Sequence, residues 1–99
     1  MTKPAKDCAT MSEVRAGIDD VDARLVALIA ERTTYIDRAT QLKPALGWPA
    51  RIDDRVEEVV TRVRGHAQAA GLDPDLIEQL WRQLVDWSIA REEKVLGKD

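Results

Sequence analysis

Two cations interrupt an otherwise apolar helical seam. At alternating spacings of three and four, Val14, Ile18, Val21, Leu25 and Leu28 form one apolar stripe. The next position on that stripe is Arg32, and after Ile36 and Ala39 it ends at Lys43. Eleven residues make about three helical turns, so Arg32 and Lys43 share a face, roughly 16 Å apart along the axis. Side chains bent toward each other would frame a small molecule with an anionic or polar group at each end. Ile36 and Ala39 would be its apolar floor. A buried, unpaired cation costs several kcal/mol, so Arg32 needs a fixed anion. Two sources are open. Glu92, or one of Asp53, Asp54, Glu57 and Glu58, could supply a salt bridge, and a polar group in a helical seam can also fix register. A ligand could supply the anion instead. Ser88 and Glu92, an i, i+4 pair, likewise interrupt an apolar face. Two helices with polar breaks in apolar faces suggest a polar pocket between helices.

Other reactive side chains point elsewhere. Cys8 is the only cysteine, which excludes an internal disulfide and the usual multi-cysteine zinc sites. No activating partner is identifiable for it, so it reads as a small residue near the N-terminus. His66, in "RGHAQAAG", reads as a solvated helix residue. Trp81 and Trp87 read as packing or interface residues, whereas Trp48, near Lys43 in a proline-flanked loop, could close over a pocket. The run "REEK" at 91–94 reads as a solvated face, Glu92 excepted. No nucleophilic triad and no metal constellation is visible.

Positioning these groups falls to helices. Apolar residues make up 44% and charged residues 33% of 99 residues, which indicates one globular domain rather than disorder. Few glycines and prolines, and no Phe, favour helix over sheet. The spacing predicts an all-α, three-helix chain forming a single domain over 1–99, with a flexible segment at 1–10. Thr10-x-x-Glu13 is a capping-box pattern that starts the first helix, and Pro44 is expected to end it at residue 43. A loop, "PALGWPARID", precedes a second helix over about 54–70, with Asp53 or Asp54 as its N-cap. Its inner face is Val56, Val59, Val60, Val63 and Ala67. Gly71 suits the C-terminal turn, and Asp73 with Pro74 opens a third helix over about 74–95. The inner face there reads Ile77, Leu80, Trp81, Leu84, Ser88, Glu92 and Val95.

The first helix would be roughly 50 Å long, beyond the roughly 30 Å diameter of a compact chain of this size. Its stripe therefore calls for a second copy, as an intertwined homodimer. A net charge of −3 argues against a nucleic-acid partner. No apolar run suits a signal sequence or a membrane span, so the expectation is a soluble, cytoplasmic protein.

"EVRAGIDDVDARLVALIAER", "ATQLK", "IDDRVEEVV" and "LWRQLVDWSIARE" together resemble the all-helical chorismate mutases, a family that includes isochorismate-pyruvate lyases. The resemblance runs from about Met11 to Lys94. It implies an intertwined dimer in which Arg15 crosses into the partner's pocket. It implies catalytic roles for Arg32, Lys43 and Glu92, and substrate contacts for Arg15, Arg55, Ser88 and the Val56 position. Arg15 and Arg55 would hold carboxylates, while Lys43 and Glu92 would reach the ether oxygen of the breaking bond. The implied reaction converts chorismate to prephenate by a concerted rearrangement that requires no metal and no cofactor. Positioning and stabilisation of charge growing on the ether oxygen are what a protein contributes.

Three positions depart from the commonest pattern. Val56 stands where many mutases have Glu, and Ile52 where an acidic residue is common. Both Val56 and the N-terminal "KPAKDC" look like the lyase branch, which yields salicylate and pyruvate, whereas Ser88 is more mutase-like. Glu92 replaces the Gln of many bacterial members, although some fungal members have Glu. A carboxylate cannot donate to an ether oxygen, so Glu92 in that role must carry a proton. A non-catalytic helical dimerisation module, with the cations as bridge partners, is the alternative of a different class.

Overall fold

The computed structural model describes residues 2–97. They form three α-helices behind a short 3₁₀ turn at Ala5–Asp7, with no strand among the described residues. Helix α1 spans Met11–Leu46, α2 Asp53–Ala69 and α3 Pro74–Leu96. The chain divides into two compact units, Met1–Tyr35 and Ile36–Asp99, and the boundary falls within α1 rather than in a linker.

In the first unit, the capping pattern forms with its return bond shifted by one residue. The Glu13 N–H donates to Thr10 Oγ1 at 3.2 Å, and the Ala9 N–H, just outside the helix, donates to Glu13 Oε1 at 3.0 Å. One N–H of the first turn that lacks an intrahelical partner is thereby satisfied. Lys3 also pairs with Glu13, and this contact, ahead of the Ala9 N–H, holds the Glu13 carboxyl below its ordinary value. The segment read as flexible thus contains a 3₁₀ turn fastened to the helix start. Beyond it the predicted stripe is exposed: Ile18, Val21, Leu25 and Leu28 keep 53%, 44%, 51% and 60% of their surface.

In the second unit, α1 does not stop at Lys43. Pro44 lies inside the helix, which continues to Leu46. A proline so near the C-terminus forfeits only one intrahelical hydrogen bond. The stop is set by Gly47, at φ 70°. Its N–H donates to Pro44 O and the Trp48 N–H to Lys43 O, each at 3.1 Å, which is the Schellman pattern of paired bonds. The same pattern ends α2: Gly71, at φ 72°, donates to Gln68 O, and Leu72 to Ala67 O.

Helix α2 begins one residue earlier than expected. Ile52 is its N-cap and makes no side-chain cap bond. Asp53 and Asp54 instead occupy the first turn, where their charges favour the positive end of the helix dipole. In α3, Asp73 Oδ1 accepts from the Asp75 N–H at 2.9 Å, with Pro74 following the cap.

The expected inner face of α2 is essentially the observed one, with Val56, Val60 and Ala67 buried. That of α3 is rotated. Val85, Ser88, Ile89 and Glu92 are buried, while Leu80 and Val95 remain exposed. Helix α3 carries two overlapping apolar stripes, and the one containing Val85 and Ile89 joins Val56 and Ala50 in the core. Val59, Trp81 and Leu96 pack around these four.

Ion pairs lace α2 to α3 outside that core. Arg64 reaches Asp75 and Glu78, each at 2.9 Å. Arg82 binds both oxygens of Glu57, at 3.0 and 3.1 Å, and Glu78 at 2.7 Å. The Arg82 hydrogen bonds hold the Glu57 and Glu78 carboxyls below their ordinary values. As surface pairs they contribute little stability individually, but they fix the register of α2 on α3.

Gly47 and Gly65 should respond to alanine with opposite signs. No atom crowds a Cβ at either position, so backbone conformation decides. Gly47→Ala forces a left-handed alanine and should cost about 1 kcal/mol. Gly65→Ala, inside α2, should gain about 0.5–1 kcal/mol. Urea denaturation of the two variants checks both signs.

Candidate active site

The last turn of α1, the loop after it and the inner face of α3 converge on Lys43. Its Nζ donates to the Ala50 carbonyl oxygen at 2.9 Å. It also lies 2.9 Å from Glu92 Oε1, with the two side chains only 13% and 5% exposed. The approach to Oε1 is close but poorly directed, and this buried oxygen accepts no hydrogen bond. The distance establishes Coulomb contact, and the angle leaves Oε1 short of a well-aimed donor. An ammonium has three N–H groups, so Lys43 retains capacity for a third acceptor.

Ser88 lies one turn before Glu92 on the same buried face, and its Oγ donates to Leu84 O at 2.9 Å. Such back-bonding inside a helix ties the hydroxyl to its own turn. Thr40, three residues before Lys43, is also buried and donates to Ile36 O at 3.0 Å. Buried polar groups therefore cluster on the Lys43 and Glu92 faces.

Other anticipated residues are placed differently. Arg55 is exposed at the start of α2 and pairs with Glu58, whose carboxyl that contact holds below its ordinary value. Val56 is buried in the core. Arg15 is exposed and Arg32 half-buried, both in the N-terminal unit. Glu92, one of the five acids considered for Arg32 in the salt-bridge reading, lies beside Lys43. His66 is exposed, and Trp48 keeps 54% of its surface.

Two contacts had no signal in the sequence. The Ala50 carbonyl is a backbone acceptor, invisible in side-chain patterns. Arg91 is exposed, as expected of the 91–94 run, and its Nε and Nη2 bind both oxygens of Asp37, at 2.6 and 3.0 Å. Arg51 adds a bond from the loop to Asp86 on α3 at 3.0 Å. Among the described residues, no group of three or more His, Cys, Asp or Glu could hold a metal ion. No described helix is long and apolar enough to cross a membrane.

The sequence pattern of the chorismate mutase type II family matches residues 14–93. The chain belongs to the chorismate mutase type II family. It is 29% identical to the isochorismate pyruvate lyase of Pseudomonas aeruginosa over 93 residues, covering 93% of this chain and 90% of that protein. It is 31% identical to the T-protein of Enterobacter agglomerans over 85% of this chain, which spans only 22% of that longer protein. A chorismate mutase from Methanocaldococcus jannaschii is 24% identical, with 87% of each chain covered. These relatives make the chain a member of an enzyme family, with two different reactions named among them.

In a chorismate mutase-type chain, a buried Lys–Glu pair has a measurable structural consequence. Removing one partner of a buried pair strands the other charge, at about 3–5 kcal/mol. Lys43→Met should therefore lower stability by about 3 kcal/mol in urea titrations. Adding Glu92→Gln to Lys43→Met should recover more than half of that loss.

Proposed function

We propose that this protein is a chorismate mutase, converting chorismate to prephenate within a homodimer. The buried Lys43–Glu92 pair carries this reading. It sets a cation and a potential hydrogen-bond donor side by side on buried helix faces, where a single ether oxygen could meet both. The rearrangement breaks the ether C–O bond and forms a C–C bond within one molecule. No group leaves and no proton is exchanged overall. Charge accumulates on the departing ether oxygen, and donors already fixed in place stabilise it without reorganising. Lys43 supplies one such donor as an ammonium. Glu92 supplies a second only when protonated. Arg15 from the partner chain and Arg55 hold carboxylates, Arg32 provides a further cation, and Ser88 contributes to the polar wall. Holding the side arm over the ring then removes much of the entropic barrier.

Arg55 must leave Glu58 to take this role. That exchange is accessible because the Arg55–Glu58 pair is solvent-exposed, and exposed pairs are worth little. The dimer is supported by α1 itself. Its 36 residues extend about 54 Å, and the exposed Ile18–Leu28 stripe needs an apolar cover.

Isochorismate-pyruvate lyase activity is the second reading, favoured by one position. Val56 is apolar and packed in the core, at the position where the resemblance implies Glu in many mutases. A relative of nearly equal length bears the lyase name. The lyase reaction also has a concerted cyclic transition state, so the same cations would serve it.

Purified protein offered chorismate and isochorismate separately should form prephenate faster than salicylate and pyruvate. Dominant salicylate formation selects the lyase, and turnover of neither selects a dimerisation module. Arg32→Ala should reduce turnover at least 100-fold while leaving the dimer intact by sedimentation, and a folded wild-type monomer at micromolar concentration would reject the shared site. Glu92→Gln should retain turnover, because an amide can donate a hydrogen bond, whereas Glu92→Ala should lose most of it; full turnover by Glu92→Ala would remove Glu92 from the donor role.

A further inference from the structure

The Asp37–Arg91 pair adjoins the candidate site, and none of the roles assigned above uses it. Arg91 meets Asp37 fork to fork through Nε and Nη2. That geometry fixes the orientation of the guanidinium as well as its place. The same guanidinium lies 5.7 Å from the ring centroid of Trp87, one turn earlier on α3, within the range of cation–π attraction. Asp37 is held below its ordinary value chiefly by the hydrogen bond from Arg91, and Arg91 is raised by the same bond.

Arg91 immediately precedes Glu92. Neighbours on a helix point about 100° apart. Two consecutive α3 residues therefore engage two different α1 residues, Asp37 and Lys43, whose six-residue separation is about 9 Å along the axis. One ion pair alone would let α3 roll and slide about the contact. Two contacts in different directions remove that freedom. Any roll that draws Glu92 away from Lys43 also unseats the Arg91 fork.

The geometry points to Asp37 and Arg91, backed by Trp87, as positioning residues that set how the Glu92 carboxyl meets Lys43 Nζ. Their effect on rate rests on the proposed function; their effect on the Lys43–Glu92 geometry does not. The side chains of Asp37 and Arg91 remain 45% and 44% exposed. A pair this exposed adds little stability, so its loss should alter alignment more than folding.

Asp37→Asn keeps the shape and removes the charge. Arg91→Lys keeps the charge and removes the fork. In each, kcat on the preferred substrate should fall about tenfold, since small misplacements of reacting groups are costly. KM should change by less than about twofold, and the melting temperature by no more than about 3 °C. The exchange variant, Asp37→Arg with Arg91→Asp, should recover part of the loss. The independent readout is the Glu92 side-chain carboxyl ¹³C resonance, recorded at one pH without substrate. In Asp37→Asn and Arg91→Lys it should move toward its position in Lys43→Met. An unmoved resonance, or an unchanged kcat in an active protein, overturns the positioning role. A resonance that moves in a protein turning over neither substrate upholds that role and rejects the proposed function. Should the exchange variant fail to fold, Arg91→Lys decides.

Discussion

The ion pair between Lys43 and Glu92 is the contact on which the organisation of the C-terminal unit turns. Neither group belongs in an apolar interior by itself. An ammonium and a carboxylate taken from water each lose hydration worth several kcal/mol, and their mutual attraction repays this only with good geometry. Here the repayment is incomplete, because Oε1 is approached closely but off-axis. The Ala50 carbonyl assists by accepting from Lys43, which in turn draws the loop after α1 against the buried face. An arrangement that favoured stability alone would replace both groups with apolar side chains. Keeping them therefore places a cation with spare donors at the meeting point of three chain segments.

That meeting point is assembled by local devices rather than by a large core. The left-handed Gly47 ends α1 four residues after Lys43 and turns the chain so that Ala50 can return to it. A second left-handed glycine, Gly71, turns α2 toward α3. The Arg64 and Arg82 networks then hold α2 and α3 in register, while Val56, Val85 and Ile89 fill the space between them. Glu92 reaches its buried place because it shares a face with Val85, Ser88 and Ile89. Packing that buries two aliphatic side chains carries the carboxyl in with them.

These local devices explain which parts of the fold were legible in the sequence. The capping box at Thr10 and Glu13 and the Asp73–Pro74 start are read within a few residues, because the side chain that forms the cap is also the signal. The end of α1 was misplaced for the complementary reason. Pro44 is a strong local signal, but so late in a helix it removes a single bond, and Gly47 decides the stop. The α3 face was rotated because its sequence offers two overlapping stripes, and only packing against α2 selects one. Of the polar breaks at Arg32, Lys43, Ser88 and Glu92, the last three carry side chains that are largely buried. Which acid would answer which cation could not be read, since five candidates satisfy spacing equally well.

The placement of Val56 bears on how one such scaffold can host related reactions. A Glu at that position would put a carboxylate where the core of Ala50, Val85 and Ile89 now closes. Burying it would require its own partner, and a substrate hydroxyl is one that arrives only with the ligand. With valine, the demand disappears and the packing tightens. The polar groups that stay buried on α3 are then Ser88 and Glu92, and the place of Glu92 depends on how α3 is held against the end of α1. Glu92 is the sharper of the two, because an ionised carboxylate only accepts hydrogen bonds whereas a Gln amide in its place would also donate. The contact with Lys43 therefore holds an acceptor beside a cation that keeps a spare donor.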